Sequence, residues 1–202
     1  MQVTLDNYAE LAWQKMQQQL PCIVQDSLTG TVLMQGYVTP EAVAETLQSG
    51  WVTFFSRSKQ RLWTKGEQSG NRLQLVSLHS DCDNDSLLAL VEPLGPTCHL
   101  GTNSCFAEAS APLLQQLEQT IVQRQQQASS ASYTAKLLQQ GINKVAQKVG
   151  EEGVEVALAA VAEDRDALLN ESADLLFHLL LALRARDCEL KDVLAVLAER
   201  RR

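Results

Sequence analysis

The chain changes character near Glu108, and that change constrains its fold more than any other feature. Before it, the apolar residues fall in short runs. Pro21–Asp26 and Val32–Val38 flank Ser27-Leu28-Thr29-Gly30, the pattern of a β-hairpin. Thr39 has the chemistry of an N-cap, with Pro40 at the first helical position and Glu41 in the first turn, and the short helix is expected to stop at Gly50. Trp51–Phe55 is a further strand candidate. Arg72–His79 alternates as a strand does, and Ser86–Val91 resumes an extended apolar pattern. From Tyr133 onward the pattern is helical, with Gly141 and Gly150-Glu151-Glu152-Gly153 as its main interruptions. Leu168, Leu169, Leu175, Leu176, Leu179, Leu180 and Leu183 recur at spacings of three and four, one broad apolar helix face. The expected class is α+β: a β-rich domain over 1–107, a helical or linker segment over 108–131 with a polar stretch Gln125–Ser132, and an all-α domain over 132–202.

The 202 residues carry a net charge of −7, which argues against a nucleic-acid protein that binds by neutralising phosphates. No apolar run approaches the ~20 residues that span a bilayer, so no membrane partner is expected. The start, Met1–Asp6, lacks the basic region and apolar core of a secretory signal. Five cysteines, an odd number, predict reduced thiols and metal chemistry in a cytoplasmic protein. Cys22 and Cys188 lie in apolar or helical contexts and read as structural.

The run Asp81-Cys82-Asp83-Asn84-Asp85, followed by Cys98-His99 and Cys105, interleaves hard and soft metal ligands. Carboxylates suit Mg²⁺ or Mn²⁺, and thiolates suit Zn²⁺. If the run is extended, Asp81, Asp83 and Asp85 share one face and Cys82 points to the other. A solvated turn and small buried thiols are the plainer alternatives. Cys98 and Cys105, however, sit in a Pro/Gly/Thr/Asn segment, where packing is a weak reason for cysteine. Three thiolates leave a fourth zinc position open, as in catalytic sites, whereas a closed structural site needs a fourth protein ligand, and only His99 is near in sequence.

In the helical half, Glu151, Glu152 and Glu155 lie within one turn, and Lys148 precedes them. Glu171 and Asp174 are spaced i,i+3 on a second helix. These are either solvated charged faces or, since like charges at such spacings repel, carboxylates that converge on Mg²⁺. His178, four residues after Asp174, either lines the same pocket or is a structural histidine.

Taken together, these residues resemble a known pair of enzymes. Ser56-Arg57, Leu62-Trp63-Thr64-Lys65-Gly66-Glu67-Gln68-Ser69-Gly70-Asn71, Asp81–Asp85, Cys98-His99 and Ser104-Cys105-Phe106 resemble, in the family's order and over residues 20 to 107, phosphoribosyl-AMP cyclohydrolase. Lys148-Val149-Gly150-Glu151-Glu152-Gly153-Val154-Glu155 with Glu171-Ser172-Ala173-Asp174 is similar to phosphoribosyl-ATP pyrophosphohydrolase, of the all-α nucleotide pyrophosphohydrolase type. The resemblance implies one zinc per cyclohydrolase site, held by Cys82 of one subunit with Cys98 and Cys105 of its partner, hence a homodimer. It implies Mg²⁺ on Asp81, Asp83 and Asp85, and Mg²⁺ in the helical domain on Glu151, Glu152, Glu155, Glu171 and Asp174. The substrates implied are phosphoribosyl-ATP, cleaved to phosphoribosyl-AMP and pyrophosphate, and phosphoribosyl-AMP, whose adenine ring is then opened between N1 and C6.

The residue types fit that chemistry. A glutamate, Glu152, orients the attacking water. His99 is either a proton-transfer group or a packed loop histidine. Lys65, Ser69, Gly70 and Asn71 form a polar loop suited to a phosphate, Arg57 can pair with another phosphate bidentately, and Trp63 and Lys148 complete the expected substrate contacts. Two rival readings are a general nucleoside triphosphate pyrophosphatase with a zinc-binding regulatory domain, and a non-enzymatic zinc-scaffolded module. The first leaves the cysteines and the aspartate run without a catalytic role.

Overall fold

The computed structural model describes residues 1–107, 109, 111–127 and 132–200, and the chain separates into two compact units, Met1–Ser110 and Ala111–Arg202. In the first unit, β1 (Gln2–Val3), β2 (Leu20–Asp26), β3 (Val32–Val38), β6 (Leu73–Ser80) and β7 (Leu87–Pro93) form one sheet in the order β1-β6-β7-β2-β3. β4 (Thr53–Ser56) and β5 (Arg61–Thr64) form a separate antiparallel pair, and α1 (Pro40–Ser49) lies between β3 and β4 in sequence.

The alternation that predicts strands also builds the core. Leu20, Cys22 and Val24 of β2 and Leu87, Ala89 and Val91 of β7 point inward at every second position. The β2–β3 hairpin closes on Asp26, whose Oδ1 accepts the N–H groups of Leu28 and Thr29 at 2.9 and 3.0 Å. Thr39 Oγ1 caps α1 by accepting Ala42 N–H, and Gly50 ends it in the left-handed region at φ 76°. Thr46 then ties helix to strand: its hydroxyl donates to Ala42 O at 2.8 Å and accepts Thr53 N–H at 2.9 Å. Phe54 is fully buried over Gly36, where a Cβ would come within 2.4 Å of the ring. Burial of a side chain of this size contributes about 1.5–3 kcal/mol.

Three expectations change here. Trp51 makes one isolated bridge to Gln74, and the strand starts at Thr53. β1 and β5 were not foreseen, the first because two residues carry no readable period, the second because Arg61–Thr64 is half polar. Asp81–Asp85 is not extended: it is the tight turn between β6 and β7.

The second unit is helical: α2 (Leu113–Gln127), α3 (Tyr133–Gln139), α4 (Ile142–Ala162), α5 (Arg165–Arg184) and α6 (Leu190–Arg200). Ile121 of α2 is buried with Leu137, Val145, Leu180 and Leu181, so α2 packs into this unit's core. Of the polar stretch Gln125–Ser132, residues 128–131 lie outside the described residues. Gly141 (φ 87°) does break the helix, but Gly150-Glu151-Glu152-Gly153 does not: α4 runs through it. Each interior glycine costs only about 1 kcal/mol relative to alanine, which packing against α5 can absorb. Asp164 caps α5 by accepting Ala167 N–H at 2.9 Å, turning α4 and α5 into an antiparallel hairpin. The leucine face of α5 is only partly covered: Leu180 and Leu181 are buried, while Leu169, Leu176 and Leu179 are exposed. No helix among the described residues is long and apolar enough to cross a membrane.

Candidate metal centres and active sites

The acidic turn of the first unit is built from its own backbone. Asp81 Oδ1 accepts the N–H groups of Asp85 and Ser86 at 3.1 and 3.2 Å, and Asn84 takes a positive φ of 61° while its Oδ1 accepts the Ser80 hydroxyl. Chain reversal, and not strand alternation, gathers Asp81, Asp83 and Asp85, which can each place an oxygen within 4.8 Å of the others. Lys15 reaches into this cluster, 2.6 Å from Asp83 and also bridging to Asp85. Its ammonium holds the Asp83 carboxyl below the usual range. No local pattern singles out Lys15, because its partners are some 70 positions away in the chain.

Cys98 and Cys105 lie in the loop after β7. Cys105 N–H donates to Leu33 O of β3 at 2.7 Å, and the Ser104 hydroxyl donates to Val32 O. Donation from the Leu100 backbone and the Thr102 hydroxyl draws the Cys98 thiol down, whereas burial and the neighbouring Cys98 push Cys105 up. Lys65, nearly buried, faces both thiols; burial lowers its pKa, against the pull of Cys105 and Cys98. His99 is exposed, with Nδ1 3.9 Å from Cys98 Sγ.

Cys82 is exposed and stands apart. Cys22 of β2 pairs with Leu87 at the acidic-turn end, while Gln25 pairs with Leu90 and Val32 at the end where Cys105 is anchored. Three strand residues, roughly 10 Å, separate the two ends. Among the described residues the three thiols do not form one group.

The loop from Lys65 to Asn71 is tightly determined. Lys65 Nζ donates to Asn71 O at 3.1 Å, and Gly66 (φ 82°) admits no Cβ, which would sit 2.4 Å from that same oxygen. Asn71 N–H donates to Ser69 Oγ at 3.3 Å, and Gly70 takes φ 78°. Arg57 stacks over Tyr37, 4.0 Å from the ring centroid. A cavity of about 190 Å³ opens beside it, lined by Ser56, Lys59, Arg61, Trp63, Glu67 and Gln68. Trp63, an expected substrate contact, lines this cavity with Lys59 and Arg61, which the sequence did not single out, and Arg61 is paired with Glu67 at 2.7 Å.

In the helical unit Glu152 and Glu155 of α4 meet Glu171 of α5, again with oxygens within 4.8 Å. Glu152 is 4% exposed. Its Oε1 lies 2.7 Å from Lys148 Nζ, which keeps the carboxyl low. Glu155 is pushed up by its hydrogen bond with Glu152, by desolvation and by the charges of Glu152 and Glu171. The two neighbouring carboxyls are thus pushed in opposite directions, Glu152 down and Glu155 up. Glu151 turns to Lys148 (2.8 Å) and Gln147 (2.6 Å), and Asp174 is exposed one turn beyond Glu171; neither joins the group. His178 is buried behind Glu152, bonded to Tyr133, a residue the sequence reading passed over.

Residues 34–107 match the phosphoribosyl-AMP cyclohydrolase family and residues 114–201 the phosphoribosyl-ATP pyrophosphohydrolase family, so the chain is a two-domain hydrolase. The cyclohydrolase family is one of metal-dependent hydrolases. Curated relatives match nearly the whole chain. The chain is 55% identical over 197 residues to the histidine biosynthesis bifunctional protein HisIE of Xanthomonas axonopodis pv. citri, covering 98% of this chain and 96% of that protein. It is 53% identical over 193 residues to the HisIE proteins of Yersinia pestis and of Escherichia coli K12, covering 95% of each chain. The chain belongs to the HisIE family of bifunctional histidine biosynthesis proteins.

Proposed function

We propose that the chain catalyses two consecutive hydrolyses: the helical unit cleaves phosphoribosyl-ATP to phosphoribosyl-AMP and pyrophosphate, and the β-rich unit then adds water to C6 of the adenine ring and breaks the N1–C6 bond. The observation that carries this reading is the pairing of two family matches with two separate carboxylate clusters, one in each unit.

The donor sets fit the metals expected. Hard carboxylates at Asp81, Asp83 and Asp85, and at Glu152, Glu155 and Glu171, suit Mg²⁺; thiols at Cys98 and Cys105, one of them already acidified, suit Zn²⁺. Bound Mg²⁺ neutralises phosphate charge, and bound zinc acts as a Lewis acid that makes water more acidic. In the helical unit, Glu152 is held ionised by Lys148 and orients the attacking water, with Glu151 and Asp174 flanking the three gathered carboxylates. In the β-rich unit, Lys65, Ser69, Gly70 and Asn71 hold a substrate phosphate, Arg57 a second one, and Trp63 stacks on the base. His99 is exposed beside Cys98 and is the proposed proton carrier.

The proposed assembly is a homodimer in which Cys82 of one protomer completes the thiol set of the other. Support comes from the sheet register, which sets Cys82 and Cys105 at opposite ends of one chain's sheet. The five free thiols fit a reducing, cytoplasmic setting. The test is incubation with phosphoribosyl-ATP while pyrophosphate release and ring opening are followed separately. Both signals should appear, pyrophosphate first. Equal turnover of ordinary nucleoside triphosphates without ring opening would overturn the reading.

A further inference from the structure

The carboxylate group of the helical unit depends on a geometry that the carboxylates cannot set for themselves. Glu152 and Glu155 ride on α4 and Glu171 on α5, and mutual repulsion drives them apart. Something must fix the distance across the α4–α5 seam when no cation is present. His178 stands at that place. It is 5% exposed, and its Nδ1 lies 2.9 Å from the Asp174 carbonyl and 3.5 Å from Glu152 Oε1. A carbonyl only accepts, so Nδ1 carries the hydrogen. In the neutral ring Nε2 is then an acceptor, and the Tyr133 hydroxyl, 3.0 Å away, donates to it. Phe177 meets the imidazole edge-on at 5.2 Å and stacks with Tyr133 at 6.4 Å. One ring therefore links α3, α4 and α5.

The contacts at Glu152 are one-sided. Lys148 and His178 both approach the same oxygen, Oε1. Lys148 is a long, partly exposed chain that also serves Glu151, so it supplies charge with little directional constraint. His178 is rigid and bonded at both nitrogens. Packing alone does not explain it, because a buried imidazole is costly unless its nitrogens are satisfied, and leucine would fill this apolar surrounding at no such cost.

We propose that Tyr133, half exposed, and His178, buried, form a relay across the α4–α5 seam: Tyr133 fixes the ring, the Nδ1–H goes to the Asp174 carbonyl, and the same ring edge, 3.5 Å from Glu152 Oε1, keeps that carboxylate in its place in the cluster. His178 is thus a positioning residue of the pyrophosphohydrolase site. This rests on the metal reading of the Glu152, Glu155 and Glu171 group given above.

The test is Mn²⁺ affinity by electron paramagnetic resonance in the full chain carrying Asp83→Asn and Asp85→Asn, so that the acidic turn does not compete for the ion. Outer contacts to ligating groups typically change metal affinity 10- to 100-fold, so His178→Leu should weaken Mn²⁺ binding by about 10-fold or more. His178→Asn, which keeps an N–H near Nδ1, should recover most of that loss. In the chain without the aspartate changes, His178→Leu should lower kcat for pyrophosphate release and leave KM for phosphoribosyl-ATP near its original value. Unchanged Mn²⁺ affinity in His178→Leu would overturn the relay, as would equal losses in the leucine and asparagine variants. If His178→Leu fails to fold, Tyr133→Phe decides: weaker Mn²⁺ binding at an unchanged unfolding midpoint supports the relay, and unchanged binding refutes it. Absence of any Mn²⁺ binding before His178 is altered would sink the metal reading itself, a different failure from a relay that has no effect.

Discussion

The chain gathers three carboxylates twice, by opposite means. In the β-rich unit, Asp81, Asp83 and Asp85 crowd together because a six-residue turn leaves them nowhere else to go, and a tethered ammonium, Lys15, offsets their charge. In the helical unit, Glu152, Glu155 and Glu171 come from two helices, Glu152 is buried, Lys148 offsets its charge, and His178 sits behind it. The turn is a local device, exposed and nearly independent of the fold around it. The helical cluster exists only while α4 and α5 are packed. Mutations that loosen packing should therefore damage the second site long before the first.

The sharpest way to break the comparison is chemical. Glu152→Gln keeps the shape and removes the charge, and should reduce pyrophosphate release by at least ~100-fold, the usual scale for losing a positioned general base. Ring opening of supplied phosphoribosyl-AMP should continue at its original rate. Loss of both activities in a folded variant would mean that the two sites are not separate.

The next effect concerns the thiols. Cys98→Ser or Cys105→Ser should lower zinc content and ring opening together, because a hydroxyl is a poor ligand at neutral pH. Full zinc occupancy by elemental analysis in either variant would remove these cysteines from the site. Gly66→Ala comes third: it forces a Cβ against Asn71 O at positive φ, and should destabilise the β-rich unit by about 1–3 kcal/mol while the melting of the helical unit stays put.

The smallest effects are electrostatic. Lys15→Met should tighten Mg²⁺ at the acidic turn severalfold by titration calorimetry, since a competing cation is gone, with no measurable change in melting temperature because the pair is exposed. Weaker binding would instead make Lys15 a support of the turn. In chelator, Glu155→Gln should slightly raise the melting temperature of the helical unit near neutral pH. The folded-state pKa of Glu155 is raised, so its ionised form is penalised by folding. That penalty is absent below the ordinary carboxyl range and grows as pH rises through the raised value, so the gain from glutamine should vanish in acid.

Much of this was legible in the sequence, and the reason differs between the regions. The β2–β3 hairpin, the Thr39 cap and the Gly50 stop are local signals, and the structure reproduces them to within one residue, β2 starting at Leu20 and not Pro21. Asp81, Asp83 and Asp85 were expected to share a face of an extended run, and they gather instead on a turn: alternation and a tight turn both bring three aspartates together, and only the hydrogen bonds to Asp81 Oδ1 distinguish them. Gly150 and Gly153 suggested a break because propensity is local, while the packing of α4 on α5 is not. His178 was noticed from its spacing to Asp174, but the Lys15 and Tyr133 contacts span 45 to 70 positions, and single-chain periodicity carries no trace of such pairs.

The most direct test of two separable sites in one chain is to mix the two damaged proteins. Cys98→Ser alone, given phosphoribosyl-ATP, should release pyrophosphate and accumulate phosphoribosyl-AMP, and Glu152→Gln alone should do nothing with that substrate. The mixture should release pyrophosphate and open the ring. Ring opening that stays absent from the mixture, or a Cys98→Ser protein that has also lost pyrophosphate release, would contradict the account.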